Sequence, residues 1–168
     1  MSRAGILRRL VAFVLDGIFV LLIVLSAAAG WYYIISPGAT TGATAERVFW
    51  LVVQLLILAY LSFEAVAAAS PAKMLLGLEI GDADGKKASP ARLLNRWTGK
   101  WAFLLVGFIA TAIQNTLLIW LFNFMGLITF IGCVAALDES RLAWHDMWAG
   151  TAVYRARDIP RPAAVFLL

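Results

Sequence analysis

Arg9 and Asp16 are the residues whose types and spacing most suggest chemistry, because both sit where charge is disfavoured. From Leu10 to Tyr33 the chain reads LVAFVLDGIFVLLIVLSAAAGWYY, long enough to cross a bilayer at about 20 residues per span and ~1.5 Å rise per residue. A carboxylate inside such a helix costs roughly 2.5–3.5 kcal/mol on insertion scales, so Asp16 needs a partner, a proton or water. Arg9 stands about two helical turns before it, on nearly the same face. Two readings of Asp16 follow. In one it takes up or releases a proton, or binds a small cation, during a conformational cycle. In the other it accepts hydrogen bonds from Arg9 or a neighbouring helix and never changes state. A direct Arg9–Asp16 bridge needs an extended arginine or a water, since the two lie about 10 Å apart along the axis.

Two further carboxylates extend this polar stripe. Glu64, near the inner end of the second apolar run, either joins Asp16 in a cytoplasm-facing polar cavity, the reading that Ser62 and the small residues after it favour, or simply reaches the interface. Asp146 follows the last apolar run and can fold back onto Arg9, a clamp tying the two ends of the chain together. His145 next to Asp146 suggests a proton relay, yet sequence neighbours on a helix point apart, so a surface histidine is expected. Asn115 and Asn123 read as a turn former and an interhelical hydrogen bonder. Cys133 is the sole cysteine, which excludes an internal disulfide and suggests a buried, inert thiol. One histidine and one cysteine supply no zinc-ligand set. With no nucleophile–base pair and no phosphate loop either, neither a cofactor nor an enzymatic activity is expected.

The elements that must position these residues are membrane spans. The 168 residues are 62% hydrophobic with mean hydropathy +0.86, against about 45–50% apolar for a soluble domain, and one domain is expected at this length. Arg8 and Arg9, the apolar core and Ser26 to Gly30 have the layout of a signal peptide. The core is too long, and Asp16 interrupts it, so a retained helix is expected. A second span runs from Val48 to about Ala69. The third apolar stretch, Trp101 to Leu137, exceeds one crossing and accommodates two if a tight turn falls at Gln114-Asn115-Thr116. Predicted helices therefore cover about 10–35, 48–69, 96–113 and 117–137.

Charge asymmetry fixes the count and the orientation. Arg3, Arg8 and Arg9 precede the first helix, Lys73 to Lys100 fall between the second and third, and Arg141, Arg155, Arg157 and Arg161 follow the fourth. Only Arg47 lies on the other side. The positive-inside rule then predicts four spans with both termini cytoplasmic. The +4 charge accordingly reads as topology signal and contact with anionic lipid at the cytoplasmic face, not as nucleic-acid binding. In the cytoplasmic loop, Ser70-Pro71 and Ser89-Pro90 each read as an N-cap with proline at the first helical position. Gly77 to Ile80 is strand-like. Asp82-Ala83-Asp84-Gly85 lacks the further ligands of a calcium loop and reads as a hairpin turn. ARLLNRW, from Ala91, is expected to be an amphipathic helix on the inner membrane surface.

Three blocks taken in order resemble the RDD family of bacterial membrane proteins. They are Arg9 to Asp16, the segment SPAKMLLGLEI from Ser70 to Ile80, and HDMWAGTAV from His145 to Val153. Arg9, Asp16 and Asp146 would be the residues for which the family is named. One departure is Ala72, where the family usually has glycine. The resemblance implies a single RDD-like transmembrane domain over 1–168 in a bacterial inner membrane, all-α, and the hairpin and amphipathic helix read above fall in its cytoplasmic loop. It also implies a role in transport, some members being linked to sodium–proton exchange, or in membrane-associated complexes. Two functions are therefore expected. One is a transporter or cation/proton exchange component using a buried carboxylate, with Arg9, Glu64 and Asp146 tuning Asp16. The other is a non-enzymatic accessory or assembly subunit. Short helices leave little room for a monomeric path, so a homo-oligomer or a membrane protein complex is expected.

Overall fold

The structure is a computed structural model, described here for residues 3–35, 42–135 and 142–160. The loop at 36–41, residues 136–141 including Arg141, and the tail with Arg161 lie outside the described residues.

Helix α1 (Ile6–Gly30) begins after Gly5 in extended conformation and continues into a π-helical turn, Trp31–Ile35. Helix α2 (Ala43–Ala67) ends where Ala68 turns left-handed, at φ 56°. Next comes α3 (Pro71–Leu75), capped by the Ser70 hydroxyl, which accepts from the Lys73 N–H, with proline at the first helical position. Strand β1 (Leu78–Asp82) and a turn held by the Gly85 N–H to the Asp82 carbonyl follow. Helix α4 (Pro90–Ile113) carries the same Ser-Pro cap through Ser89. Gln114 turns left-handed, and Asn115 caps α5 (Thr116–Val134) by accepting from the Leu118 N–H at 3.0 Å. The chain then forms α6 (Trp144–Ala149) and, after a left-handed Gly150, strand β2 (Thr151–Arg155).

The tight turn falls at Gln114 and Asn115, as the sequence predicts. The start of the third helix differs from expectation. The stretch ARLLNRW does not lie separately on the membrane surface but forms the first turns of a continuous α4. Its Leu93 and Arg96 are buried, so protein packs against a face that the sequence assigns to the interface. The strand-like segment also has a partner that the sequence left out. β2 runs antiparallel to β1, pairing Leu78 with Arg155, Ile80 with Val153 and Asp82 with Thr151. The Ala4 N–H donates to the Val153 carbonyl at 2.8 Å, so the segment before α1 joins the far side of this ribbon.

Burial is distributed unlike that of a soluble domain. A compact core of Ala4, Ala12, Ala68, Leu78, Ile80, Ala88, Leu93 and Val153 sits at one end, where α3, the ribbon and α6 form a cap. Along the helices the apolar side chains point outward: α5 buries none of its residues and α1 only Ala12. Helices α1, α2 and α5 are long and apolar enough to cross a membrane, and their exposed Leu, Phe and Val faces are what lipid would cover. Inside the bundle α2 packs on α4, with Gln54 donating to Thr111 at 3.0 Å. Helix α4 in turn packs on α5, where Gly107 lets the Phe122 ring approach its backbone.

Candidate functional site

The cap gathers charged side chains from α1, α2, α3, α4 and α6 into one cluster, and Arg96 is its hub. Its Nε donates to Asp146 Oδ1 at 2.7 Å and its Nη2 donates to His145 Nε2 at 3.1 Å. Nη1 lies 3.0 Å from Glu64 Oε1, close enough for ion pairing without the alignment of a hydrogen bond. The other Asp146 oxygen accepts from Arg9 Nη2 at 3.0 Å and from the Ala143 backbone N–H at 3.2 Å. Asp146 is fully buried and Arg96 is 2% exposed. Such ions persist away from water only because each has several partners, and removing one partner typically costs about 3–5 kcal/mol.

Glu64, 3% exposed, anchors the other side of the cluster. The Lys73 ammonium donates to its Oε1, Lys100 Nζ lies 3.2 Å from its Oε2, and the Trp101 indole N–H donates to the same oxygen at 3.3 Å. The Lys100 ammonium also sits 4.6 Å above the Trp101 ring, a favourable cation–π position.

Asp16 is held differently. Tyr60 OH donates to Oδ1 at 2.6 Å and Ser70 Oγ donates to Oδ2 at 2.7 Å. Both donors are neutral. Ser70 thus caps α3 with its lone pair while its proton serves Asp16. This carboxylate is half-buried and lines a cavity of about 260 Å³. Arg9, Lys73, Arg96, Lys100 and His145 line the polar end with it, while Ile6, Leu10 and Phe13 of α1 and Phe130 and Val134 of α5 form the apolar walls. Glu64 and Asp146 sit behind the cations rather than on the wall.

The electrostatics follow from burial and neighbours. Burial alone would raise Asp146, but Arg96 and Arg9 outweigh it and hold the carboxyl well below its usual range. His145 is pushed down to about 2, by burial first and then by Arg96 and Lys100. It is therefore neutral. Arginine is always a donor, so Nε2 accepts and the ring proton resides on Nδ1. Lys73 is lowered well below its ordinary value, by burial first and then by Lys100 and Arg96.

The structure brings Arg9 onto Asp146, the contact the sequence raises as a clamp. Asp16 is bound to a neighbouring helix and to Ser70. Glu64 lies among lysines and Arg96 rather than beside Asp16. His145 corrects the sequence reading: it is 6% exposed and bonded to Arg96, not a surface residue. Cys133 corrects it too, being half-buried and on the cavity wall. Lys73, Arg96 and Lys100 were read as topology signals. The signal that could have found two of them is spacing: Leu93, Arg96, Lys100, Phe103, Gly107 and Ala110 recur every three or four residues, along one face of α4. Among the described residues no group of three His, Cys, Asp or Glu is placed to hold a metal ion.

A family model described as the RDD family matches residues 3–150 of this chain. No curated protein and no solved structure matches it.

Proposed function

Because the chain belongs to the RDD family, and is thereby a membrane protein with apolar helices, we propose that it is a small transport component in which Asp16 carries a proton. One observation carries this reading. Asp16 is the carboxylate of the cluster whose oxygens are held by the neutral hydroxyls of Tyr60 and Ser70 and which also reaches the cavity. Glu64 and Asp146, in contrast, are locked by cations. A group that loses or gains charge during a cycle needs partners that tolerate both states, and a hydroxyl can turn to donate or accept.

Of the cargoes an exchanger could carry, this wall favours the proton over a metal cation. Arg9, Lys73, Arg96 and Lys100 face the cavity with Asp16, and two like charges about 4 Å apart repel by roughly 4 kcal/mol at an effective dielectric of 20. A proton bound to Asp16 meets that repulsion too, but it needs one carboxylate oxygen, whereas a metal cation needs several oxygen ligands and Asp16 is the one carboxylate among the described lining residues. In this reading α4 and α5 form the third and fourth crossings of a bacterial inner membrane, with the cap and both termini on the cytoplasmic side. No catalytic turnover of a substrate is part of it.

The second reading, an accessory subunit, is favoured by α5. None of its 19 residues is fully buried, so the face turned away from α4 is available to a partner helix or a second copy. Reconstituted vesicles with an imposed pH gradient separate the two. Proton flux in the wild type that is lost in Asp16→Asn, with folding intact, supports transport. Equal flux in both, or none in the wild type, overturns it, and a co-purifying membrane partner then favours assembly.

A further inference from the structure

We propose that the cavity between α1 and α5 binds one anionic phospholipid. Its phosphate would lie among Arg9, Lys73, Arg96 and Lys100, and its acyl chains along Phe13 and Phe130. Three observations carry this. First, four basic side chains line the cavity and Asp16 is the one carboxylate among its described lining residues. Even with Glu64 and Asp146 counted behind them, the described residues of the cluster give four cations to three carboxylates. A surplus charge held away from water is unfavourable until an anion joins it. A phosphate brings the acceptor oxygens that arginine and lysine bind best.

Second, the other walls are hydrocarbon-like. Leu10, Phe13 and Phe130 are 55%, 48% and 58% exposed, on helices apolar enough to cross a membrane. The cavity therefore opens toward lipid as well as toward the cluster. A free inorganic anion would satisfy only the polar end, whereas a phospholipid matches both. Third, Arg9 stands at the mouth of the apolar run of α1, where headgroups meet hydrocarbon. Burial disfavours the charge on Lys73, and an adjacent phosphate restores it.

The inference stands apart from proton exchange, and its test reads occupancy rather than flux. Cys133, the one cysteine of the chain, lines the same cavity and reports on it without any mutation. The full chain in a mild detergent is alkylated with N-ethylmaleimide in the presence of phosphatidylglycerol, phosphatidylcholine of equal chain length, or inorganic phosphate. Phosphatidylglycerol at about ten times its dissociation constant is expected to slow labelling roughly tenfold, following simple occupancy. The other two should leave the rate unchanged. Equal protection by phosphatidylcholine would make the cavity a neutral lipid groove, and equal protection by phosphate a free-anion site. Either result overturns the proposal, as does the absence of protection by all three. Lys100→Gln should require a higher phosphatidylglycerol concentration for the same protection, and an unshifted concentration dependence would refute the role of charge.

Discussion

The neutral, buried state of His145 makes the cap acid-sensitive in a calculable way. In the folded protein the ring resists protonation down to about pH 2, whereas a histidine released from the cap titrates at the ordinary 6.5. The folded value lies below the open one, so its contribution is complete above pH 6.5 and is lost as the pH falls from there toward 2. Between pH 6.5 and about pH 4.5 the open form binds a proton and the closed form does not. Opening should become roughly fifty-fold more populated, about 2.3 kcal/mol, by proton linkage. Asp146 does not confuse this window. Its carboxyl is depressed below 3.8, so its own contribution is lost only at more acidic pH. The assay is amide hydrogen exchange at Met147 and Gly150, whose N–H groups close the α6 turns, corrected for the intrinsic pH dependence of exchange. In His145→Gln, where a side-chain carbonyl can accept from Arg96 in place of the ring, the acid-dependent opening should disappear. A flat profile in the wild type, or the same slope in the variant, would refute the neutral assignment.

Arg96→Met should destabilise the cap by about 3–5 kcal/mol, because Asp146 and Glu64 lose a buried partner together. Arg96→Lys should not rescue it, since one ammonium cannot reproduce a planar fork serving three groups, and thermal unfolding in detergent reads both. Gly107→Ala would place a Cβ 2.7 Å from Phe122 Cδ2 and should cost roughly 1–3 kcal/mol by overpacking the α4–α5 contact. In Gly17→Ala the new methyl meets nothing within 4 Å, so the same assay should show no loss and a gain of up to about 1 kcal/mol from helix propensity.

What could be read from the sequence divides along a physical line. Local signals transferred well: Ser70-Pro71 and Ser89-Pro90 start helices, and Asn115 starts another, because capping depends on a few neighbouring atoms. The apolar runs located α1, α2 and α5 because crossing a bilayer is a matter of length and composition. Long-range pairing was not legible. Strand β2 is five residues without apolar–polar alternation, and its partner lies on the far side of two long helices in sequence. The inward turn of Arg96 and Lys100 was not legible for a related reason. A cation at a helix end ordinarily marks the cytoplasmic side, and only the carboxylates supplied by α2 and α6 turn it inward. The apposition of Arg9 and Asp146 was raised as an expectation from their types. Asp16 meeting Tyr60 and Ser70 was not, since neither hydroxyl carries a distinguishing pattern.

The hydrogen bond from Arg9 to Asp146 joins residues 137 positions apart, and Ala4 meets Val153 beside it. During synthesis, then, α1 reaches the membrane long before its partners exist. Arg9 must spend that interval with water or lipid phosphate as its counter-ion, and the charged cluster assembles only when α6 and β2 emerge. A chain that stalls or is cut before Asp146 would keep its apolar helices yet lack the closing carboxylate, leaving Arg9 and Arg96 without their shared partner. A charge cluster left open in that way separates an unfinished chain from the finished protein, so the last segment made acts as the seal on the first.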